Sequence, residues 1–111
     1  MIWEKLTDIS QLETVKSDSL NKPVLIFKHS TSCSISATAL SRLERNWKDE
    51  AAKGIKPYYL DLKSFRDVSN KIASEFHVEH ESPQVLLIKN GDCVYNASHL
   101  GISFDEILKN A

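Results

Sequence analysis

The sequence predicts an α/β fold, a four-stranded mixed sheet with helices on both faces. Three observations carry that expectation. Helix-like and strand-like segments alternate through most of the chain, which implies a parallel portion of the sheet. Two late strand-like runs flank Asn90-Gly91, a turn signal for an antiparallel hairpin. A capped helical run then closes the chain.

The elements follow in order. Ser10-Gln11-Leu12-Glu13 has the capping-box form, a hydroxyl followed three residues later by Glu, and should open a helix through about Ser19. Asn21-Lys22-Pro23 ends it. Val24 to Lys28 is short, apolar and bounded by turn residues, as a buried strand should be. Ile35, Ala39, Leu40, Leu43 and Trp47 recur at helical spacing, predicting one helix from Ser34 to about Ala52, with Gly54 as its stop. Lys56 to Leu62 reads as a second strand. Phe65, Val68, Ile72, Ala73 and Phe76 predict a helix from Phe65 to His77. Val85 to Ile88 and Cys93 to His99 are the hairpin strands. Ser103-Phe104-Asp105-Glu106 is a second capping box, with Ile107 and Leu108 on the inner face of the last helix.

Length and composition narrow the function. The 111 residues fit a single domain, 1–111, large enough for one modest core. A formal charge of −1 offers no basic excess for nucleic acid. No apolar run is long enough to span a membrane. The opening residues show no basic segment followed by an apolar one, so a cytoplasmic location is expected. The 2 cysteines, Cys33 and Cys93, are too few and too far apart for a disulfide framework. They fit a reducing compartment.

Cys33 is the chemical focus. It stands between a strand and a helix start, where free N–H groups and the helix dipole favour thiolate over thiol. Backbone N–H groups of Ser34, Ile35 and Ser36 are the first candidates to stabilise that thiolate, and the Ser36 hydroxyl is a second donor. Lys28 and His29 are cationic candidates, with solvated strand-end residues as the alternative. Lys28 alternates with Phe27 and is expected to point away from the core. Three residues after Cys33, where a dithiol enzyme carries its second sulfur, stands Ser36.

The apolar strand, the cysteine at the next helix start, Val-x-x-x-Ser-Pro before a strand, and the hairpin leading to a last helix together resemble the thioredoxin fold over nearly the whole chain. That resemblance implies that Ser82-Pro83 is a cis pair opposite Cys33, presenting the Ser82 backbone to an extended substrate. It also makes Thr31 and Gly101 candidate substrate-binding positions, Gly101 as the residue that keeps the groove open. Dithiol thioredoxins carry a buried acid where this chain has Phe27.

The run Phe-Lys-His-Ser-Thr-Ser-Cys-Ser-Ile-Ser-Ala, with Ser-Pro-Gln-Val downstream, is similar to the YtxJ-type (BrxC-like) monothiol bacilliredoxins of Gram-positive bacteria. Ser34 stands where that family commonly has proline, and it restores an N–H that proline would lack. The resemblance implies a thiol–disulfide oxidoreductase that takes bacillithiol from mixed disulfides on client proteins. Bacillithiol would be its co-substrate, and no cofactor would be tightly bound. Two other readings stay open. One is an iron–sulfur carrier like the monothiol glutaredoxins, although Ser34 and Ile35 replace the Gly and Phe of their Cys-Gly-Phe-Ser motif. The other is a thioredoxin-like redox sensor without turnover.

The 4 histidines, His29, His77, His80 and His99, show no metal-ligand spacing, so no metal site is expected. His80 and His99 are candidates to face the site. Counting residues along the hairpin places Cys93 roughly 20 Å from Pro83, beyond the ~7 Å between Cα atoms that a disulfide allows. Cys93 is therefore expected to be structural or merely tolerated, with resolution after a large movement or intermolecular pairing as the alternatives.

Overall fold

The computed structural model describes residues 1–52 and 54–111. Its elements are β1 (Glu4–Lys5), α1 (Gln11–Asp18), β2 (Val24–His29), α2 (Ser34–Asn46), α3 (Asp49–Ala52), β3 (Lys56–Asp61), α4 (Arg66–Phe76), β4 (Gln84–Lys89), β5 (Asp92–Ser98) and α5 (Phe104–Asn110). A 3₁₀ turn, His99–Gly101, links β5 towards α5. The strands form one mixed sheet in the order β1-β3-β2-β4-β5. β1, β3 and β2 run parallel, and β4 lies antiparallel to both β2 and β5.

The sheet has five strands where four were expected. The added one, β1, pairs Glu4 with Tyr58 and Lys5 with Tyr59. Two exposed charged residues show no alternation, so periodicity cannot reveal such a strand. Its anchor is the next residue, Leu6, whose N–H donates to Tyr59 O at 2.9 Å and whose side chain is buried.

Alternation along β2 divides the interior in two. Val24 and Ile26 meet Leu12 and Val15 of α1 and Val68, Ile72 and Phe76 of α4. Leu25 and Phe27 meet Ala39 and Leu43 of α2, Ala52 of α3 and Phe104 and Ile107 of α5. Every residue of β2 is buried, because helices cover both faces of this central strand. The second face is therefore not a solvent face, and Lys28 does not reach water as expected.

Two further expectations fail locally. The single helix over 34–52 is two helices. Trp47 leaves the helical region with ψ 126° and turns its ring onto Phe104, with centroids 4.9 Å apart. A residue at helical spacing therefore packs from extended backbone instead. The capping box at α1 does not form either, because Ser10 is itself helical (φ −59°, ψ −24°) and its side chain makes no cap bond. Gln11 Oε1 takes the N–H groups of Thr7 and Asp8 instead, at 2.7 and 3.0 Å. The box at α5 does form: Ser103 is extended and its Oγ accepts from Glu106 N at 3.5 Å. In the hairpin, Asn90 and Gly91 take φ 53° and 81°, the positive values a primed turn requires.

Candidate active site

One end of the sheet collects the candidate residues. β2 ends there at His29, and its partner β4 begins there, with Lys28 opposite Gln84 and Gln84 opposite Ser98 of β5. The segment after β2 carries Thr31 and Cys33, the segment before β4 carries Ser82 and Pro83, and the turn after β5 carries Gly101. Antiparallel pairing thus brings together residues that lie far apart in the chain.

Cys33 is the N-cap of α2, with extended backbone (φ −108°, ψ 120°) and a half-buried side chain. Its N–H donates to Ser30 O at 3.1 Å and its C=O accepts from Ala37 N at 3.1 Å. The thiol itself makes no cap bond. Ser34 and Ile35 form the exposed start of the helix, and Ser36, at its third position, is fully buried. The first-turn N–H groups lack intrahelical partners and face the N-cap, where a negative sulfur is favoured.

The Ser36 hydroxyl is engaged elsewhere than at Cys33. Its Oγ accepts from Ser30 N at 3.0 Å and lies 2.7 Å from His29 Nδ1. His29 is 7 % exposed, and its ring lies between Phe27 and Tyr59. Burial lowers the His29 pKa, against the weaker opposing pull of Asp61 and Glu44. The expected role for His29 as a cation is therefore disfavoured by its own burial.

Lys28 lies on the opposite face of the sheet from α2, fully buried. Its Nζ donates to Ser69 O of α4 and contacts His80 Nδ1, both at 3.3 Å. Burial lowers its pKa from 10.5 to about 8. Lys28 thus supports the loop that leads to Ser82-Pro83 rather than the helix that starts at Cys33. Its neighbour Gln84 holds the same loop, with Nε2 donating to Glu79 O at 3.0 Å. His80 is accordingly turned to Lys28 and Ser69.

The Ser82–Pro83 peptide is cis. Pro83 O accepts from His99 N at 2.9 Å, which ties this loop to the turn bearing Gly101. Ser82 Oγ is the one buried side-chain polar atom without a hydrogen-bond partner among the described residues. Gly101 and Thr31 are exposed, and a Cβ added at Gly101 would meet nothing within 4 Å. Arg42 of α2 fixes that turn, donating to Leu100 O at 2.9 Å and Ile102 O at 2.6 Å. Two large apolar side chains stand out to solvent at this end, Ile35 and Leu100, at 49 % and 68 % exposure.

Sequence reasoning did not find the His29–Ser36 contact, Arg42, or Lys63, whose Nζ donates to Ser32 Oγ at 2.9 Å. Each joins separate elements, so no local spacing signals it.

Cys93 lies at the other end of the sheet, paired with Ile88, which in turn pairs with Val24 at the start of β2. Its Sγ donates to Tyr95 O at 3.3 Å, and burial pushes its thiol pKa up.

The chain matches the family described as monothiol bacilliredoxin BrxC over residues 4–107. A solved structure described as an oxidoreductase with a thioredoxin fold is 34 % identical, with TM-score 0.79, covering 96 % of this chain and 90 % of that one. Thioredoxin from Malassezia sympodialis is 15 % identical, with TM-score 0.80 and coverage of 98 % and 90 %. Thioredoxin from Fasciola hepatica is 14 % identical, with TM-score 0.74 and coverage of 97 % and 99 %. At those identities the two thioredoxins bear on the fold alone. With the extent of the family match and the structure at 34 % identity, the chain belongs to the monothiol bacilliredoxin BrxC family and is a thiol oxidoreductase of thioredoxin fold.

Proposed function

We propose that this protein removes bacillithiol from mixed disulfides on client proteins, with Cys33 as the attacking thiolate. The observation that carries the reading is the N-cap position of Cys33 with Ser36, not a second cysteine, at the third position of the same helix. The helix start stabilises the attacking thiolate, and Ser36 cannot close an internal disulfide.

The exchange balances in two steps. The Cys33 thiolate attacks the bacillithiol sulfur of the client's mixed disulfide. A new bond forms between Cys33 and bacillithiol, and the client sulfur leaves as a thiolate. A second thiolate from solution then attacks the bacillithiol sulfur held on Cys33. Cys33 departs as thiolate, and the outside thiol carries bacillithiol away as a low-molecular-weight disulfide.

The exposed Ile35 and Leu100 give a protein client apolar surface beside the sulfur, and the Ser82 backbone offers strand-like hydrogen bonds. Bacillithiol is a co-substrate in this scheme, bacillithiolated proteins are the partners, and the reducing cytoplasm is the setting. No tightly bound cofactor takes part.

The test uses a client bearing one bacillithiol mixed disulfide. On incubation, intact mass should show the client losing bacillithiol and Cys33 gaining it, and Cys33→Ser should reduce transfer to background. A client that keeps its bacillithiol while Cys33 is demonstrably alkylatable would overturn the reading.

A further inference from the structure

The Ser36 hydroxyl has one hydrogen to donate and two lone pairs. One lone pair is taken by Ser30 N–H at 3.0 Å, and the second contact is His29 Nδ1 at 2.7 Å. Ser36 is fully buried, so its hydroxyl has no alternative partner in solvent. The direction of its hydrogen therefore depends on His29. If Nδ1 is bare, Ser36 donates to it and has nothing to give Cys33. If Nδ1 carries the proton, the imidazole fills the second lone pair, and the hydroxyl hydrogen must point away from both donors. Ser36 is the third residue of α2 and Cys33 is its N-cap, so the two side chains start from the same first turn.

We infer that His29, as a neutral Nδ1–H donor to Ser36, turns the Ser36 hydroxyl hydrogen towards the Cys33 thiolate and so acts as a positioning residue for the nucleophile. The thiol makes no cap bond as it stands, so the inference requires rotation about the Cys33 Cα–Cβ bond to bring the charged sulfur within reach of the hydroxyl. The burial that disfavours a cationic His29 keeps the ring in the neutral form this requires. His29 Nε2 is not a stranded polar atom, since Ser82 Oγ alone has that character among the described residues. When bacillithiol occupies Cys33, the sulfur is uncharged and the hydrogen is free to return to Nδ1 by a change of tautomer.

The groups facing His29 are Asp61 and Tyr59 on β3, Glu44 and Ser36 on α2, and Phe27 on its own strand. None of the carboxylates is its hydrogen-bond partner, so Ser36 is the route by which the ring acts on the sulfur.

The inference rests on Cys33 being the reacting thiolate, but its test needs neither bacillithiol nor a client. In a Cys93→Ser background, the pH dependence of Cys33 alkylation reads the thiol pKa directly. His29→Phe and Ser36→Ala should each raise that pKa, slowing alkylation at pH 7 by about three- to tenfold, an effect of one charge-assisted hydrogen bond. The double variant should be no slower than either single one, because both remove the same interaction. His29→Asn, which keeps an N–H donor near the Nδ1 position, should restore most of the rate. Additive effects, or an unchanged pKa in a folded His29→Phe protein, would overturn the inference. Ring ¹⁵N shifts of the unsubstituted protein supply a check that no misfolded variant can obscure. His29 should be the Nδ1–H tautomer when Cys33 is ionised, and a persistent Nε2–H tautomer would also overturn it. Loss of bacillithiol transfer alone would count against the proposed substrate and leave this result intact.

Discussion

At the scale of the residue, Lys28 is a costly placement. It is fully buried, and its ammonium meets a backbone carbonyl and an imidazole rather than a carboxylate. Two neutral acceptors do not replace the water it has lost, so its pKa falls from 10.5 to about 8. Below pH 8 the lysine is protonated in the folded and unfolded chains alike, and the folded state bears the full penalty. Between about 8 and 10.5 the folded protein has released the proton while the unfolded chain still binds it, so this group makes stability rise with pH. A depression of that size corresponds to about 3 kcal/mol. Lys28→Met should accordingly be more stable than the unsubstituted protein at pH 7, by on the order of 1–3 kcal/mol. The advantage should shrink across the pH 8–10.5 window. Urea unfolding of both proteins at a series of pH values checks this, and the difference between them cancels the tyrosines and Cys93. An Lys28→Met protein that is less stable at every pH would show that the two hydrogen bonds outweigh the buried charge. Retaining a costly lysine is intelligible if its contacts hold the loop that delivers Ser82-Pro83.

At the scale of the element, the two Ser-x-x-Glu boxes make a controlled comparison within one chain. Ser103 is extended and caps α5, a helix of only 7 residues that leans on its cap and on buried Phe104 and Ile107. Ser10 is helical and caps nothing. Ser103→Ala should cost about 1 kcal/mol in thermal or urea unfolding, whereas Ser10→Ala should stay within ~0.5 kcal/mol of no change. Equal effects would refute the structural distinction. The same contrast shows what the sequence can and cannot express. The residue types of a cap are legible, but its dihedrals are not: the same Ser-x-x-Glu pattern is helical at Ser10 and extended at Ser103. The apolar run of β2 and the helical spacing of α4 are legible because they lie within one segment, and so is the turn at Asn90-Gly91, where the dihedrals follow from residue type. The break at Trp47 and the strand at Glu4-Lys5 were not, because each depends on a distant partner, Phe104 in one case and Tyr58 and Tyr59 in the other. In the candidate site, the N-cap position of Cys33 was readable from its place between strand and helix. The engagement of Ser36 by His29 was not, since it depends on how β2 meets α2.

At the scale of the whole molecule, the sheet separates the two sulfurs. Cys93 pairs across β4 with the Val24 end of β2, and Cys33 follows the His29 end. Five steps along the strand, at about 3.3 Å each, already exceed 16 Å, against the ~7 Å between Cα atoms that a disulfide permits. The cysteines also serve different layers: Cys93 packs with the α1–α4 side of the sheet, while Cys33 begins a helix on the other. Counting residues along the hairpin suffices to anticipate this separation, because strand length and a two-residue turn leave little freedom. Joining the sulfurs would require unpairing β4 from β2, the strands that also align Pro83 with the cysteine segment. Resolution by Cys93 would thus dismantle the proposed site it was meant to regenerate. Burial raises the Cys93 thiol pKa, so it is also a poor thiolate near neutral pH. Cys93→Ser should leave the rate of bacillithiol transfer to Cys33, and its discharge by an added thiol, within about twofold of the unsubstituted protein. Iodoacetamide at pH 7 should label Cys33 well before Cys93 in the folded protein. If Cys93→Ser stopped discharge while Cys33 still accepted bacillithiol, a second copy of the chain would have to supply the resolving sulfur, since the fold keeps the two cysteines of one chain apart.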